Sequence, residues 1–499
     1  MKKTAAFFVL LAGLFVYGAS AEAANTIKRY DGSNRINVAV SLSRDWNTSG
    51  TVILASYSAY ADSLAAAPLA YRLNAPILLT NPGGIPAETR TRISQLKASK
   101  VILIGGTSSI SGNVYNQLKG MGISSVERIN GRDRYEVAAN IAKKFPSSSK
   151  AIFASGTAYA DALSIAPYAA RSGTPILLVS KNSVPYSTKS AISSRGINNA
   201  VLVGGTASVS DSVYHSLAPT RKRISGEDRY KVAANVAAAY KMSSDKVFIA
   251  NGHAYADALA GSVAAAKQNA SILLTKASAV PGSTMSHIKV HKMSGFSILG
   301  GTKSVSSSVT SRLSSPLLGR KIMIDPGHGY KDPGAVNKNT GQKEKNIVLD
   351  IGKRTVSKLS AKDAYPVMTR TGDTYPTLDE RVEMAVKQNA DVFVSIHNNA
   401  NISSSPDGTE TYWSTKSPES KLLAEEIQKQ LASDLEMDNR GVKTADFKVI
   451  KHGYMPSVLV EVGFLSNSRE AALLNQSAFR DRAANAIYEG IYYYFQKYE

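Results

Sequence analysis

Lys321-Ile-Met-Ile-Asp325-Pro326-Gly327-His328-Gly329 is the stretch on which the reading of this 499-residue chain turns. The run 321–324 is mostly apolar and reads as a short buried strand. Asp325-Pro326-Gly327 is turn chemistry that stops it. His328 is thereby predicted on a loop past the strand's carboxyl end, the edge at which open α/β sheets build their sites. Flanking glycines leave the backbone there open to close approach by an ion or a substrate.

Two later strands end in the same manner. Asp391-Val-Phe-Val-Ser-Ile396 leads into His397, and Ser457-Val-Leu-Val460 leads into Glu461. Further strands are predicted at 365–369 and 409–413. Helices are predicted from Glu344, over Leu378–Gln388, from about Pro418 to Leu435, and near Phe479–Phe495. The first carries an apolar stripe of Val348, Ile351, Val356 and Leu359 that Thr355 interrupts. Strands alternating with helices predict a parallel sheet with helices on its faces. One sheet edge then collects His328, His397 and Glu461, and Glu344 reaches it from the start of the first crossover helix. Two histidines and a carboxylate make a zinc site with a fourth position open to water. A further carboxylate can pass the water's proton to a leaving nitrogen. These residues alone leave Glu344 and Glu461 exchangeable between the two roles. A carboxylate in a first turn also has the plain role of facing the helix dipole. Arg370 is a candidate for substrate contact or oxyanion stabilisation, with a structural ion pair as its alternative. His452, in the Lys451–Met455 loop, is expected at the rim.

Upstream, the chain repeats itself. Gly32-Ser-Asn34-Arg35 returns as Gly131-Arg-Asp133-Arg134-Tyr135 and Gly226-Glu-Asp228-Arg229-Tyr230. Ala59-Tyr-Ala-Asp62 returns ending at Asp161 and Asp257, and Ile104-Gly-Gly-Thr107 returns ending at Thr206 and Thr302. All three landmarks keep one order and one period of roughly 95–99 residues. Each copy reads as a small α/β unit, with strands such as Lys150–Ala154, Pro175–Val179 and Ala200–Val203. Asp62, Asp161 and Asp257 are expected as N-caps of the helices that follow. The Gly-Gly pairs are expected at tight strand-to-helix turns, and Arg134 and Arg229 beside carboxylates. No nucleophile–base or metal-ligand spacing recurs across the copies, and His215, His253, His287 and His291 are not repeated. The copies therefore read as binding modules. The expected divisions are 25–125, 126–220 and 221–316 for the repeats and 317–499 for the last domain, with 1–24 as a signal peptide.

Charge separates the two halves. The chain's net charge is +21. Residues 25–317 hold 33 Lys and Arg against 13 Asp and Glu, whereas 318–499 hold 24 of each. A basic half predicts a polyanionic partner. The N-terminus has the form of a secretory signal, with Lys2 and Lys3 ahead of the apolar run Ala5–Val16 and small-x-small cleavage sites between Ala19 and Ala23. No later run is apolar enough to span a membrane, so the mature chain is expected to be soluble and exported. Anionic wall polymers are then the better partner than nucleic acid. The sequence has no cysteine. Its cores must hold without disulfides, which suits a bacterial exterior, and any metal must use His, Asp or Glu.

The repeat, with Gly-x-Asp-Arg-Tyr-x-Val-Ala-Ala-Asn, Ala-Tyr-Ala-Asp-Ala-Leu and Gly-Gly-Thr, resembles the cell-wall-binding repeats of Gram-positive surface proteins. That resemblance implies three Rossmann-like modules in approximate threefold grouping that hold a protein on anionic wall polymers. Copy one departs most, with Asn34 for Asp and Ile36 for Tyr. The motifs Ile324–Gly329, Glu344-Lys-Asn346, Ser395–Ala400 and Val460–Asn467 resemble the zinc-dependent N-acetylmuramoyl-L-alanine amidases, with Asn398 where Ala is common. This resemblance implies His328, Glu344 and His397 as zinc ligands and Glu461 as catalytic acid/base. Together the halves resemble secreted, wall-associated amidase autolysins, whose substrate is peptidoglycan. Two other readings remain: a zinc peptidase acting within the stem or cross-bridge peptide, and a wall-bound adhesin with an inactive last domain.

Overall fold

The computed structural model describes residues 25–243 and 245–499, so the expected signal peptide lies outside the described residues. The chain is α/β throughout, with three four-stranded parallel sheets followed by one six-stranded mixed sheet. In the second module the strands Lys150–Ser155, Ile176–Val179 and Asn199–Val203 alternate with the helices Tyr159–Arg171 and Tyr186–Ser194. The central strand Lys150–Ser155 is a short apolar run buried on both faces, as parallel sheets require.

The fourth strand of each small sheet comes from a neighbouring copy. Ser125–Ile129 completes the first sheet and Thr220–Ile224 the second. The third sheet is completed by Thr26–Tyr30, the first strand described, which pairs in parallel with Gly295–Leu299. The lending is thus cyclic. The sequence period cuts at 126 and 221, inside or beside strands that belong to the preceding sheet. These lent strands lie at sheet edges, and two of them expose a lysine, Lys28 and Lys222, which blunts unwanted edge pairing. Ala-rich helices, Ala66–Arg72, Tyr159–Arg171 and Tyr255–Lys267, pack on one another around the centre, their small side chains permitting close approach. Three equivalent tyrosines meet there. Ring centroids of Tyr60, Tyr159 and Tyr255 are 5.5, 4.5 and 5.9 Å apart in the three pairings.

The repeated charged residues do other work than expected. Asp62, Asp161 and Asp257 are not N-caps. They sit in the first turn behind Ala59, Ala158 and Ala254, and Asp161 and Asp257 are buried. Ser109 Oγ donates to Asp62 at 2.5 Å and Ser304 Oγ to Asp257 at 3.0 Å. Each aspartate thereby ties its helix to the loop after Gly-Gly-Thr. The first glycine of each pair has positive φ, and a Cβ there would fall 2.5–2.7 Å from that carboxylate. The side-chain N-caps are Asn34, Asp133 and Asp228. Asn caps as well as Asp, so that departure of copy one leaves the cap intact. Among the described residues neither Arg134 nor Arg229 forms an ion pair. Each donates to a backbone carbonyl, of Gly156 and Gly252, at 2.7 Å.

In the last domain the strands run in the order Tyr365–Met368, Lys321–Pro326, Val392–Asn399, Ser457–Phe464, Thr409–Trp413, Asn439–Thr444. Only the pairing of Ser457–Phe464 with Thr409–Trp413 is antiparallel. The helices Glu344–Ser360, Glu419–Leu435 and Ser477–Tyr498 bury the main core against one face. Thr355 fits its apolar row because its hydroxyl donates to Ile351 O. The strand Asn439–Thr444 and the helix Ser468–Asn475 were not anticipated: the first is polar and the second is short. The third module meets this domain at the amino-terminal end of its sheet. There Lys292 pairs with Asp391 at 3.0 Å, Arg312 with Asp363, and Lys289 lies over the Tyr365 ring. The carboxyl-terminal edge is left open. Among the described residues no helix is long and apolar enough to cross a membrane.

Candidate active site

The strand runs through Asp325 to Pro326, so Asp325 is a buried strand residue and not part of the turn that stops it. It accepts from Arg381 Nη1 at 2.7 Å, Thr369 Oγ1 at 2.6 Å and Ser395 Oγ at 2.7 Å. The loop beyond it is held by two buried guanidinium groups. Arg381 donates to the carbonyls of Pro326 and His328, both at 2.9 Å. Arg370 donates to Pro326 O at 2.9 Å and to Gly327 O and Lys345 O at 2.7 Å, with Gly372 O at 3.0 Å. Arg370 is therefore neither a cleft residue nor half of an ion pair: its donors are engaged by backbone, and it positions the His328 loop. Arg381 escaped the sequence reading because it lies on an amphipathic helix, where an arginine ordinarily faces solvent. Between these clamps His328 adopts φ of 60°, a left-handed conformation that a β-carbon makes costly by roughly 1–2 kcal/mol.

His328, Glu344 and His397 converge. His328 Nδ1 lies 2.7 Å from Asp332 Oδ2, which leaves Nε2 facing Glu344 Oε1 at 3.1 Å. His397 Nδ1 lies 3.0 Å from the same oxygen. One donor atom from each of the three residues falls within 4.8 Å of the others. Glu344 is the first residue of its helix and is buried. Its oxygens also accept from Ala335 N at 2.7 Å and Asn398 N at 3.0 Å. Burial pushes its pKa up, but the hydrogen bonds and charges of His328 and His397 outweigh burial and hold it well below the usual carboxylate range. Burial opposes protonation of His328, and Glu344 and then Asp332 overcome it, so that pKa is raised.

The surroundings fit a small cation. A Cβ at Gly327 would fall 2.2 Å from His397 Cε1. A Cβ at Gly334, whose φ is +65°, would fall 2.4 Å from Glu344 Oε2. Two imidazole nitrogens and one carboxylate oxygen are a donor set suited to zinc. Asp332 is the second partner that fixes the ring of His328 and its tautomer.

Glu461 stands beside this cluster. His397 was expected just past a strand end, but its strand continues to Asn399, and in register His397 faces Glu461 of the adjacent strand. Glu461 Oε2 is sealed from solvent and has no hydrogen-bond partner, alone among carboxylate oxygens of the described residues. Burial, then the charges of Glu344 and Glu410, push its pKa well above the ordinary value. The cleft over these groups measures about 270 Å³, with Tyr375, Leu378, Phe447 and Val449 as apolar walls. Lys448 at its mouth pairs with Asp379 at 2.6 Å. His452 lies beyond that lining, its ring stacked near Tyr454. Asn398 is buried with both side-chain polar atoms unpartnered.

Fold and site together define a hydrolase domain, with a His-Glu-His cluster that could hold a metal ion, attached to a ring of three binding repeats. The family described as N-acetylmuramoyl-L-alanine amidase matches residues 322–493, and cell wall binding domain 2 matches 29–115, 128–214 and 223–310. The N-acetylmuramoyl-L-alanine amidase LytC of Bacillus subtilis (strain 168) is 45% identical over 487 residues, 97% of each chain. The protein therefore belongs to the N-acetylmuramoyl-L-alanine amidase family of peptidoglycan hydrolases and carries three cell-wall-binding repeats. Among solved structures, Cwp6 from Clostridium difficile superposes with a TM-score of 0.53 at 29% identity, over 94% of this chain and 79% of that one. Cwp8 from the same organism gives 0.53 at 27% identity, over 58% of this chain and 51% of that one.

Proposed function

We propose that this chain is a zinc-dependent amidase, with His328, Glu344 and His397 as the metal ligands and Glu461 as the proton carrier. The observation that supports this reading best is the pairing of a three-donor cluster with a cleft-lining carboxylate, one oxygen of which is sealed and unpartnered. The two glutamates, exchangeable by spacing, differ in their surroundings. Glu344 is held anionic by two imidazoles and two backbone amides, as a ligand should be. Glu461 has an elevated pKa and a free oxygen, as a proton carrier should. Zinc bound there supplies Lewis-acid activation of water and of the scissile carbonyl.

The substrate amide joins the lactyl group of N-acetylmuramic acid to L-alanine. Glu461 takes a proton from the attacking water, whose oxygen bonds to the carbonyl carbon. It then gives that proton to the alanine nitrogen as the C–N bond breaks. The products are a free muramic lactyl carboxylate and a stem peptide with a free amino terminus. The apolar walls restrict water around Glu461, and Arg370 and Arg381 keep His328 in place.

The chain's setting follows the same reading. Export by the segment 1–24, with cleavage between Ala21 and Ala24, brings the enzyme to the cell wall, where the basic repeats hold it on teichoic-acid-like polymers. Attachment raises the enzyme's effective concentration on an insoluble substrate. Mass spectrometry of digested muropeptides tests the reaction. New free amino-terminal L-alanine is expected. A new terminus inside the stem or cross-bridge would make the enzyme a peptidase, and no product from any digest would leave the adhesin reading.

A further inference from the structure

One difference among the three wall-binding copies follows from a paired exchange of side chains. In copies two and three, Tyr135 and Tyr230 lie against Gly156 and Gly252, where a Cβ would fall 2.6 and 2.9 Å from the ring carbon Cε1. Copy one has Ile36 at the tyrosine position and Tyr57 at the glycine position. Bulk lost on one side is regained on the other. The exchange also releases an arginine. Arg134 and Arg229 each donate to the carbonyl of that glycine at 2.7 Å. The equivalent carbonyl in copy one, of Tyr57, accepts instead from the Tyr255 hydroxyl. Arg35 is left exposed over the Tyr57 and Tyr255 rings, 5.5 and 5.9 Å from their centroids, with one long hydrogen bond of 3.5 Å to Tyr255 Oη.

Arg35 faces a cleft of about 800 Å³ at the carboxyl edge of the third sheet, the sheet that Thr26–Tyr30 completes. After Lys246–Asn251 the chain places its next strand on one side, then crosses back to place Gly295–Leu299 on the other. The loops that diverge from those two strands bound the cleft, at a topological switch point of the kind where open α/β sheets bind ligands. These loops contribute His253 and Lys303. The matching residues are Ser58 and Ser108 in copy one and Thr157 and Ala207 in copy two. Lys303 is exposed and has no side-chain partner among the described residues. Asp31 and Asp257 also line the cleft, the latter engaged by Ser304. Exposed cations beside a carboxylate match a unit that carries both an anion and hydroxyl groups.

We propose that this cleft, built jointly by copies one and three, is the principal polymer site, binding one sugar-phosphate or polyol-phosphate unit with Arg35 and Lys303 on the phosphate and Asp31 on a hydroxyl. The three copies are then unequal, and the site requires the amino-terminal strand. The inference rests on the reading that the repeats bind anionic wall polymers.

Co-sedimentation of the full chain with purified walls, on ice, tests it. Walls are used as isolated and after hydrofluoric acid has removed phosphodiester polymers. The variant R35A/K303A is expected to bind isolated walls about tenfold more weakly. The variant I36Y/Y57G keeps every charge but recreates the tether seen in copies two and three, and the same loss is expected. K181A/K189A, which removes two exposed charges from the second module, is expected to change binding less than about twofold. Equal losses in R35A/K303A and K181A/K189A, or unaltered binding by R35A/K303A, overturn the proposal. Wild-type binding that is indifferent to the acid treatment overturns the underlying reading instead.

Discussion

The braced aspartates of the repeats and Glu461 of the last domain have opposite fates, although Asp325 and Glu344 beside Glu461 are fully engaged. In the repeats, Asp161 and Asp257 are sealed in, and each is answered by a serine on the loop it braces. In the last domain Glu461 Oε2 is sealed and unanswered. A buried charge without a partner costs several kcal/mol if it stays charged. A fold keeps one where something transient, a proton or a cation, is to meet it. Repetition of a residue across three copies marked architecture here, whereas the unrepeated, unsatisfied group marks chemistry.

The largest expected effect separates these two kinds of acid. Glu461→Gln should reduce muropeptide cleavage by roughly 10²–10⁴-fold while leaving wall binding unchanged. Asp161→Asn should leave cleavage of soluble muropeptides at the wild-type rate. Comparable losses from both would erase the distinction.

The next effect concerns the ligand shell. Asp332→Asn should weaken zinc retention about 10–100-fold, read by competition with a chromophoric chelator, because His328 loses the partner that fixes its tautomer. A change of that size without any shift in unfolding would place the role in the metal site and not in the fold.

Asp161 supplies a third. Burial raises its pKa from 3.8 to about 6. For an acid whose folded pKa exceeds its unfolded one, stability is lost as pH rises between the two values. The cost is absent below pH 3.8, grows towards pH 6, and reaches about 3 kcal/mol above it. Asp161→Asn should therefore gain in melting temperature over wild type at pH 7 and lose that gain at pH 4. A gap independent of pH would mean that the carboxylate is charged throughout. The smallest effect is on the basic half alone: wall binding should weaken as salt screens exposed charge, whereas turnover of small muropeptides should respond far less.

The two halves are legible in the sequence, the repeats by three landmarks at one period and the last domain by strands that lead into His328, His397 and Glu461. His328, His397 and Glu461 were placed on one edge by the order of apolar runs alone. Glu344 and Glu461 could not be told apart, since what separates them is the count of amides and imidazoles around each carboxylate. Asp325 reads as a turn, and Arg370 as a cleft residue or half of an ion pair, because their partners, Arg381 and the carbonyls of the His328 loop, lie far away in sequence. The aspartates of the repeats read as caps because cap and first-turn positions differ by only three residues. The exchange of Ile36 and Tyr57 is half visible: Ile36 departs from the repeat's tyrosine, but its compensation sits a strand away.

Metal content tests the central claim most directly. Wild type and Glu461→Gln, purified and exchanged into zinc-containing and then zinc-free buffer, should each retain close to one zinc per chain, whereas His397→Ala and Glu344→Ala should retain almost none. Zinc kept by the His397 and Glu344 variants, or amidase activity that survives complete removal of metal from wild type, would contradict the account.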